Sequence, residues 1–139
     1  MPARDFYHEV VISALIADGW TITDDPLKLH VGKKDLFVDL GAERLLSAMK
    51  EGRKIAVEVK SFLGPSEVAD LESALGQYII YRDILEETEP DRLIYLAVSA
   101  DAYEELFKEP IGQLVLSRQH LRLIVFDAEK GVIVQSIPE

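Results

Sequence analysis

The clearest indication of the fold of this chain is the segment Lys54-Ile55-Ala56-Val57-Glu58-Val59-Lys60. Its branched aliphatic residues at 55, 57 and 59 alternate with Ala56, Glu58 and Lys60. A period of two is typical of a β-strand with one apolar face turned toward a core. The alternation places Glu58 and Lys60 on the same side of the strand, roughly 7 Å apart.

The Glu58 and Lys60 pair has two interpretations. On an exposed edge strand, such charges reduce edge-to-edge aggregation. Asp39, which lies 19 residues upstream near the end of another predicted strand, favours a chemical role, since pairing of the two strands would bring two carboxylates together. Asp35 is an alternative to Asp39, because a shift of four residues keeps the same strand face. Asp39 could instead cap a turn at Gly41.

The rest of the pattern predicts one domain over residues 1–139 that alternates helices and strands. We expect a first helix over 4–18 that ends at Gly19, and a long amphipathic helix to about Glu86 that is capped by Ser66. The remaining predicted elements are strands 20–23, 27–31, 36–40, 54–61, 93–98, 121–126 and 132–135, a short helix 102–107, and the ambiguous segment 44–49. This order is typical of an α/β or α+β domain with a mixed central sheet flanked by helices.

Composition limits the classes of function. The chain of 139 residues has no cysteine, which excludes disulfides, thiolate catalysis, zinc–thiolate sites and iron–sulfur clusters. Its three histidines show no metal-ligand spacing. The chain lacks the apolar stretch of a signal peptide or a membrane span, so we expect a soluble cytoplasmic protein. A net charge of −10 argues against a general nucleic-acid coat protein.

The charge is unevenly spread. The window 28–60 holds eight basic and five acidic residues, so the rest of the chain carries all of the excess negative charge. The candidate phosphate contacts in this window are Lys28, Lys33, Lys34, Arg53 and Lys54. A role in solubility explains the same residues equally well.

Two carboxylates with room for water and phosphate suit Mg²⁺ or Mn²⁺. The Lys60 ammonium would then orient the attacking water or stabilise charge in the transition state. Asp39 followed by Glu58-x-Lys60 on an apolar strand resembles the signature of the PD-(D/E)xK nucleases. Val38 precedes Asp39, so the proline in the name of the signature is absent.

The resemblance to these nucleases implies roles for further residues. Asp39 and Glu58 would hold the metal, with help from the Val59 carbonyl. Glu9 stands on the first helix, where many members of the superfamily carry an auxiliary acid. Gln77 and Tyr81 resemble a Gln-x-x-x-Tyr pair of RecB-like members, and residues four apart share one helix face.

A closer resemblance, to the XisH family, extends over nearly the whole chain. It is carried by Asp18-Gly19-Trp20-Thr21-Ile22-Thr23, Val38-Asp39-Leu40-Gly41-Ala42-Glu43-Arg44, Ile55-Ala56-Val57-Glu58-Val59-Lys60-Ser61-Phe62, Ala74-Leu75-Gly76-Gln77-Tyr78 and Tyr81-Arg82. The family is named for controlling excision of the fdxN element, a DNA segment that a site-specific recombinase removes. Membership implies a restriction-endonuclease-like core and a role in DNA rearrangement.

Two functional hypotheses follow. The first is a metal-dependent, nuclease-like factor that hydrolyses phosphodiesters in DNA and controls excision of a DNA element. The second is a non-catalytic control factor whose acidic surface over 67–91 binds a recombinase or a small companion protein. With either role, the strands beyond Leu121 offer an edge for a homodimer or a higher oligomer.

Overall fold

The computed structural model describes residues 5–45 and 52–138, and within them eight strands. The strands are β1 (Thr21–Asp24), β2 (Leu27–Val31), β3 (Lys34–Val38), β4 (Leu40–Leu45), β5 (Gly52–Val59), β6 (Arg92–Ser99), β7 (Leu123–Asp127) and β8 (Val132–Ile137). Six of them form one sheet in the order β1-β4-β5-β6-β7-β8, and β2 pairs with β3 in a separate hairpin. The pairs β5–β6 and β6–β7 are parallel, and the other pairs of the sheet are antiparallel. The mixed central sheet is therefore confirmed.

The decisive strand β5 lies in the interior of the sheet, between β4 and β6. Residues 55–59 are all buried. Because residues 55, 57 and 59 lie on one face and residues 56 and 58 on the other, both faces of the strand are covered. The edge-strand interpretation of Glu58 and Lys60 is therefore wrong. A carboxyl at position 58 must be accommodated inside the protein.

Helices cover both faces of the sheet. They are α1 (His8–Ala17), α2 (Glu67–Thr88), α3 (Ala100–Ala102), which continues into a π-helical turn (Tyr103–Phe107), and α4 (Pro110–Gln119). The apolar face of α1 packs on Ile55, Val57 and Val59, whereas α2 and the β2–β3 hairpin pack on the opposite face, which carries Ala56. No helix within the described ranges has the length and apolar character needed to cross a bilayer.

Local sequence signals account for two of the helix boundaries. The Ser66 side chain accepts a hydrogen bond from the Ala69 amide at 3.1 Å, as expected of a helix N-cap. Gly19 has φ of 95°, a left-handed conformation that closes α1 at low cost. Within the ambiguous segment, residues 44 and 45 end β4, and 46–49 lie outside the described residues.

Two helices differ from expectation. The first begins at His8, because residues 6 and 7 form a turn before it, and residue 4 of the predicted helix lies outside the described residues. The second, α4, is absent from the predicted elements. The local sequence signal for α4 is Pro110 in its first turn. Proline is favoured there because the amide N–H that it lacks would have no hydrogen-bond partner within the helix.

Candidate active site

Pairing of β4 with β5 brings Asp39 to Glu58. Leu40 is the partner of Val57 in this antiparallel ladder, so the residue before Leu40 faces the residue after Val57. The Asp39 amide donates to Oε1 of Glu58 at 3.1 Å, and the Val59 amide donates to Oδ2 of Asp39 at 2.8 Å. A separation of 19 residues in sequence thus becomes direct contact through strand register.

The two acids open onto a cleft of about 270 Å³ beside the end of β5. Its lining consists of Asp5, Phe37, Asp39, Glu58, Val59, Lys60, Gln77 and Tyr81. Six residues that the sequence singled out therefore share one cavity: Asp39, Glu58, Val59, Lys60, Gln77 and Tyr81. Asp5 and Phe37 complete it.

The helix α2 supplies one wall of this cleft. Leu71, Ala74 and Tyr78 anchor it in the core on the Ala56 face of the sheet, which by alternation is also the face of Glu58. Gln77 and Tyr81 are one turn apart, and both line the cleft. The predicted Gln-x-x-x-Tyr pair therefore faces the predicted acids.

Burial raises the pKa values of both acids. For Glu58, burial acts first and the neighbouring Asp39 carboxylate second, and together they raise its pKa to about 8. Burial also raises the pKa of Asp39, although the hydrogen bond from the Val59 amide opposes this. Two buried carboxyls in contact cannot both ionise cheaply, so the pair tends to share a proton near neutral pH.

Tyr81 has a phenol that stays protonated over the physiological range. Burial raises its pKa to about 12, and the nearby Glu58 and Asp39 carboxylates add to the shift. A phenol in this state is a hydrogen-bond donor toward the cleft.

Lys60 follows β5 directly, and its backbone is fixed there. Its amide donates to the Ala97 carbonyl oxygen at 3.1 Å, which extends the parallel pairing with β6 beyond Val59. The side chain is half-buried and lines the cleft. Its positive charge lowers the pKa of Glu58, but burial and Asp39 outweigh it.

The acid that the N-terminal segment contributes is Asp5 rather than Glu9. Glu9 lies on the exposed side of α1 and is absent from the cleft lining. Asp5 accepts hydrogen bonds from the amides of Tyr7 at 2.9 Å and Ser61 at 3.0 Å. It therefore connects the turn before α1 to the residue after Lys60. Sequence reasoning missed Asp5, because this long-range bond has no local signal.

The alternative acid, Asp35, lies elsewhere. It is exposed on the β2–β3 hairpin, where its carboxylate contacts His30 at 2.6 Å and Lys28 at 3.4 Å. The hydrogen bond from His30 lowers the pKa of Asp35. Between the two candidates, the structure brings Asp39 to Glu58.

The predicted phosphate contacts divide between two places. Lys28, Lys33 and Lys34 are exposed on the β2–β3 hairpin, which leads through Phe37 and Asp39 to the cleft. Arg53 and Lys54 stand at the beginning of β5, roughly 17 Å and 13 Å along the strand from Glu58. Strand β5 thus separates these two residues from the acids.

The donor set fits a hydrated divalent cation. Within residues 5–45 and 52–138, no three His, Asp or Glu side chains form a metal-binding group. Magnesium, however, is commonly held by one or two carboxylates while it keeps several waters. Asp39 and Glu58 form a close pair of acids, and a cation between them would favour the ionised form of both.

The family of the chain is shown by comparison with known proteins. A family model described as XisH protein matches residues 1–134. The crystal structure of an XisH family protein from Nostoc punctiforme PCC 73102 is 41% identical in sequence, with a TM-score of 0.87 over 96% of this chain and 99% of that chain. No curated protein matches the chain.

A second crystal structure is that of an fdxN element excision controlling factor protein from Anabaena variabilis. It is 44% identical in sequence and has a TM-score of 0.87, and the match covers 96% of this chain and 99% of that chain. The chain therefore shares its fold with both crystal structures over nearly its whole length.

Proposed function

The chain belongs to the XisH family, and we propose that it is a metal-dependent nuclease-like factor that hydrolyses phosphodiester bonds in DNA during controlled excision of a DNA element. The observation that carries the proposal is the contact between Asp39 and Glu58 in a cleft that also holds Lys60. The name of the Anabaena variabilis relative supports the connection with excision.

The arrangement of strands supports a restriction-endonuclease-like core. The PD-(D/E)xK signature, which the residues of this chain resemble, joins one acid to an acid and a lysine on a following strand. Here Asp39 precedes β4, and the Glu58-x-Lys60 motif ends β5, between antiparallel β4 and parallel β6. The central position of β5 fixes the backbone of Glu58, and hydrogen bonds to Glu58 and Val59 hold Asp39 beside it, so the site is preorganised.

Asp39 and Glu58 would hold Mg²⁺ or Mn²⁺, with the Val59 carbonyl as a further ligand. The chemistry that such an ion supplies when bound is neutralisation of phosphate charge and a lower pKa for water. The Lys60 ammonium would orient the attacking water and stabilise negative charge on the phosphorus oxygens. In the reaction, a new P–O bond to water forms, the ester P–O bond breaks, and the leaving oxygen gains a proton.

Gln77 and Tyr81 would position the DNA backbone from the side of α2. Both carry hydrogen-bond donors and line the cleft. The hairpin lysines Lys28, Lys33 and Lys34 would contact flanking phosphates, because the hairpin adjoins the cleft through Phe37. The overall charge of −10 limits unaided affinity for DNA, so we propose that a recombinase or a small companion protein adds to binding.

The test is cleavage of supercoiled, linear, single-stranded and branched DNA with Mg²⁺ or Mn²⁺. We expect activity that chelation abolishes and that falls by at least about 100-fold in Glu58→Gln and Lys60→Ala. The matched controls are Glu129→Gln and Lys130→Ala, two exposed positions in the turn before β8. They carry the same changes of side chain outside the cleft and should retain full activity.

Retention of the fold must be checked by circular dichroism and thermal unfolding. Cleavage that survives equally in Glu58→Gln and in its control would overturn the proposal, since it would come from elsewhere or from a contaminant. A wild-type protein that cleaves no DNA form with either metal would instead favour a non-catalytic control factor.

A further inference from the structure

A second cavity lies on the opposite face of the sheet from the candidate active site. Its volume is about 240 Å³, and Ile55, Leu93 and Ile124 form an apolar part of its lining. The polar and aromatic lining consists of Asp18, Trp20, Arg44, Arg53, Tyr95, Arg122 and Ser136. We refer to this cavity as the arginine pocket. Three arginine residues and one aspartate therefore line one cavity in a chain with a net charge of −10.

Two of the arginines are direct neighbours across the sheet. Arg44 on β4 is the register partner of Arg53 on β5. Both share the face of Ala42 and Ile55, because alternate residues of a strand point the same way. Like charges directly opposite each other on paired strands are destabilising. The fold therefore places two arginine residues opposite each other on paired strands, an arrangement with some cost in stability.

Arg44 is only partly compensated. One of its amino groups donates to the Asp18 backbone carbonyl oxygen and to the Asp18 carboxylate, the latter at 2.6 Å, and the guanidinium lies 4.5 Å from the centre of the Trp20 ring. Its Nε is buried and has no hydrogen-bond partner among the described residues. A buried N–H donor without a partner costs free energy that an acceptor would recover.

Arg53 has even fewer partners. It donates to the Tyr95 hydroxyl at 3.3 Å, a long hydrogen bond to a neutral group. Within the described residues, no carboxylate forms an ion pair with Arg53, and its side chain is exposed to an incoming ligand. The arginine pocket thus offers the guanidinium fork of Arg53, which no described carboxylate neutralises, beside the unpartnered Nε of Arg44.

We propose that the arginine pocket binds a phosphate group. Guanidinium forks match the oxygens of phosphate in geometry, and a doubly charged tetrahedral anion engages more donors than a carboxylate does. The Tyr95 hydroxyl adds a neutral donor. The small volume suits a single phosphate with a small attached group.

This site is distinct from the candidate nuclease cleft and does not depend on it. Arg53 and Glu58 lie on opposite faces of β5, roughly 17 Å apart along the strand. A phosphate held by Arg53 is therefore not the one that Asp39 and Glu58 would face. We therefore assign Arg53, which the sequence predicts as a phosphate contact, to the arginine pocket rather than to the nuclease cleft.

The chain contains its own reporter for this site. Trp20 is its only tryptophan, lines the arginine pocket and lies against Arg44. We therefore test the proposal by titrating the protein with inorganic phosphate and following tryptophan fluorescence, with sodium chloride at matched ionic strength as the reference. The expected result is a saturable change with phosphate alone.

Variants of Arg53 separate specific binding from general charge. Arg53→Gln should weaken phosphate binding by at least about tenfold, and Arg53→Lys, which keeps the charge without the fork, should bind with intermediate affinity. Arg118→Gln, which removes an exposed arginine of α4, should bind like the wild type. Thermal unfolding confirms that each variant is folded.

Competition identifies the source of the phosphate. A duplex oligonucleotide that displaces inorganic phosphate in an Arg53-dependent way identifies the DNA backbone, whereas competition by a nucleoside monophosphate alone identifies a small phosphomonoester. Three results would overturn the proposal: no saturable change, an equal change in Arg53→Gln, or competition by neither ligand. The last of these would mean an adventitious ion only.

Discussion

At the level of single residues, Glu58 has the smallest exposed fraction, 7%, of the acidic residues that the structure describes. It stands in an interior strand, contacts a second carboxyl and has a pKa of about 8. A carboxyl in such a place is costly unless a cation or a proton compensates its charge. This cost is the physical reason to assign a function to Asp39 and Glu58 rather than a role in folding.

The raised pKa of Glu58 predicts how stability depends on pH. Between its ordinary pKa of 4.5 and the folded value of about 8, the folded protein holds a proton that the unfolded chain has released. The free energy of unfolding should therefore fall as pH rises through this window. Glu58→Gln lacks this proton and keeps an acceptor for the Asp39 amide. Above this pH window, the free energy of unfolding of Glu58→Gln should exceed that of the wild type by more than about 1 kcal/mol.

Urea unfolding at pH values below, within and above the window measures this difference. Glu129→Gln, at an exposed position, controls for the loss of one negative charge and should follow the wild-type curve. Parallel stability curves for wild type and Glu58→Gln would contradict the assigned environment of Glu58.

Tyr81 gives a prediction on activity at the same scale. Because its phenol stays protonated, Tyr81→Phe removes a donor from the cleft and leaves the packed ring in place. We expect DNA cleavage to slow by about tenfold or more with little change in thermal stability. Tyr103→Phe, in the π-helical turn outside the cleft, should retain the wild-type rate. Equal rates for the two variants would remove Tyr81 from the proposed machinery.

At the scale of elements, strand alternation and strand register contribute different parts of the site. Alternation alone predicts that Glu58 and Lys60 share a face, and helical spacing predicts the same for Gln77 and Tyr81. The contact between Asp39 and Glu58 depends on the ladder that pairs Leu40 with Val57. A one-residue slip would turn Asp39 to the other face, and sequence patterns do not set this register.

Other features of the elements lie beyond local patterns for the same reason. Asp5 approaches Ser61 through a bond across 56 residues, and the arginine pocket depends on the pairing of Arg44 with Arg53. The sequence pattern does not predict helix α4, because residues on several of its sides are exposed. The helix therefore lacks a clear apolar stripe. Its position depends instead on a close approach of backbones at Gly112.

Two helical glycines give a paired prediction about this packing. A Cβ at Gly112 would meet the Leu106 carbonyl oxygen and the Phe107 Cα, which are backbone atoms. Gly112→Ala should therefore destabilise the protein by roughly 1–3 kcal/mol. Gly76 on α2 has open space around it, so Gly76→Ala should stabilise by roughly 0.5–1 kcal/mol. Chemical denaturation measures both, and a stabilising Gly112→Ala would refute the close approach.

At the scale of the whole molecule, one strand connects two sites of opposite charge. The end of β5 brings Glu58 to the α2 side of the sheet, where it contacts Asp39, and the beginning of β5 brings Arg53 to the α1 side. The order of elements in the sequence predicts the mixed sheet and the flanking helices. It does not predict the division of basic residues between the β2–β3 hairpin and the arginine pocket, because this division depends on which strands are neighbours in the sheet.

Anomalous diffraction from crystals soaked in Mn²⁺ shows whether Asp39 and Glu58 together bind a cation, as we propose. We expect an anomalous peak within coordination distance of both carboxylates, and no such peak in Glu58→Gln crystals soaked in the same way. Crystals of Glu129→Gln should keep the peak. Wild-type crystals with no manganese between these two acids, while other sites on the same molecules are occupied, would contradict the claim.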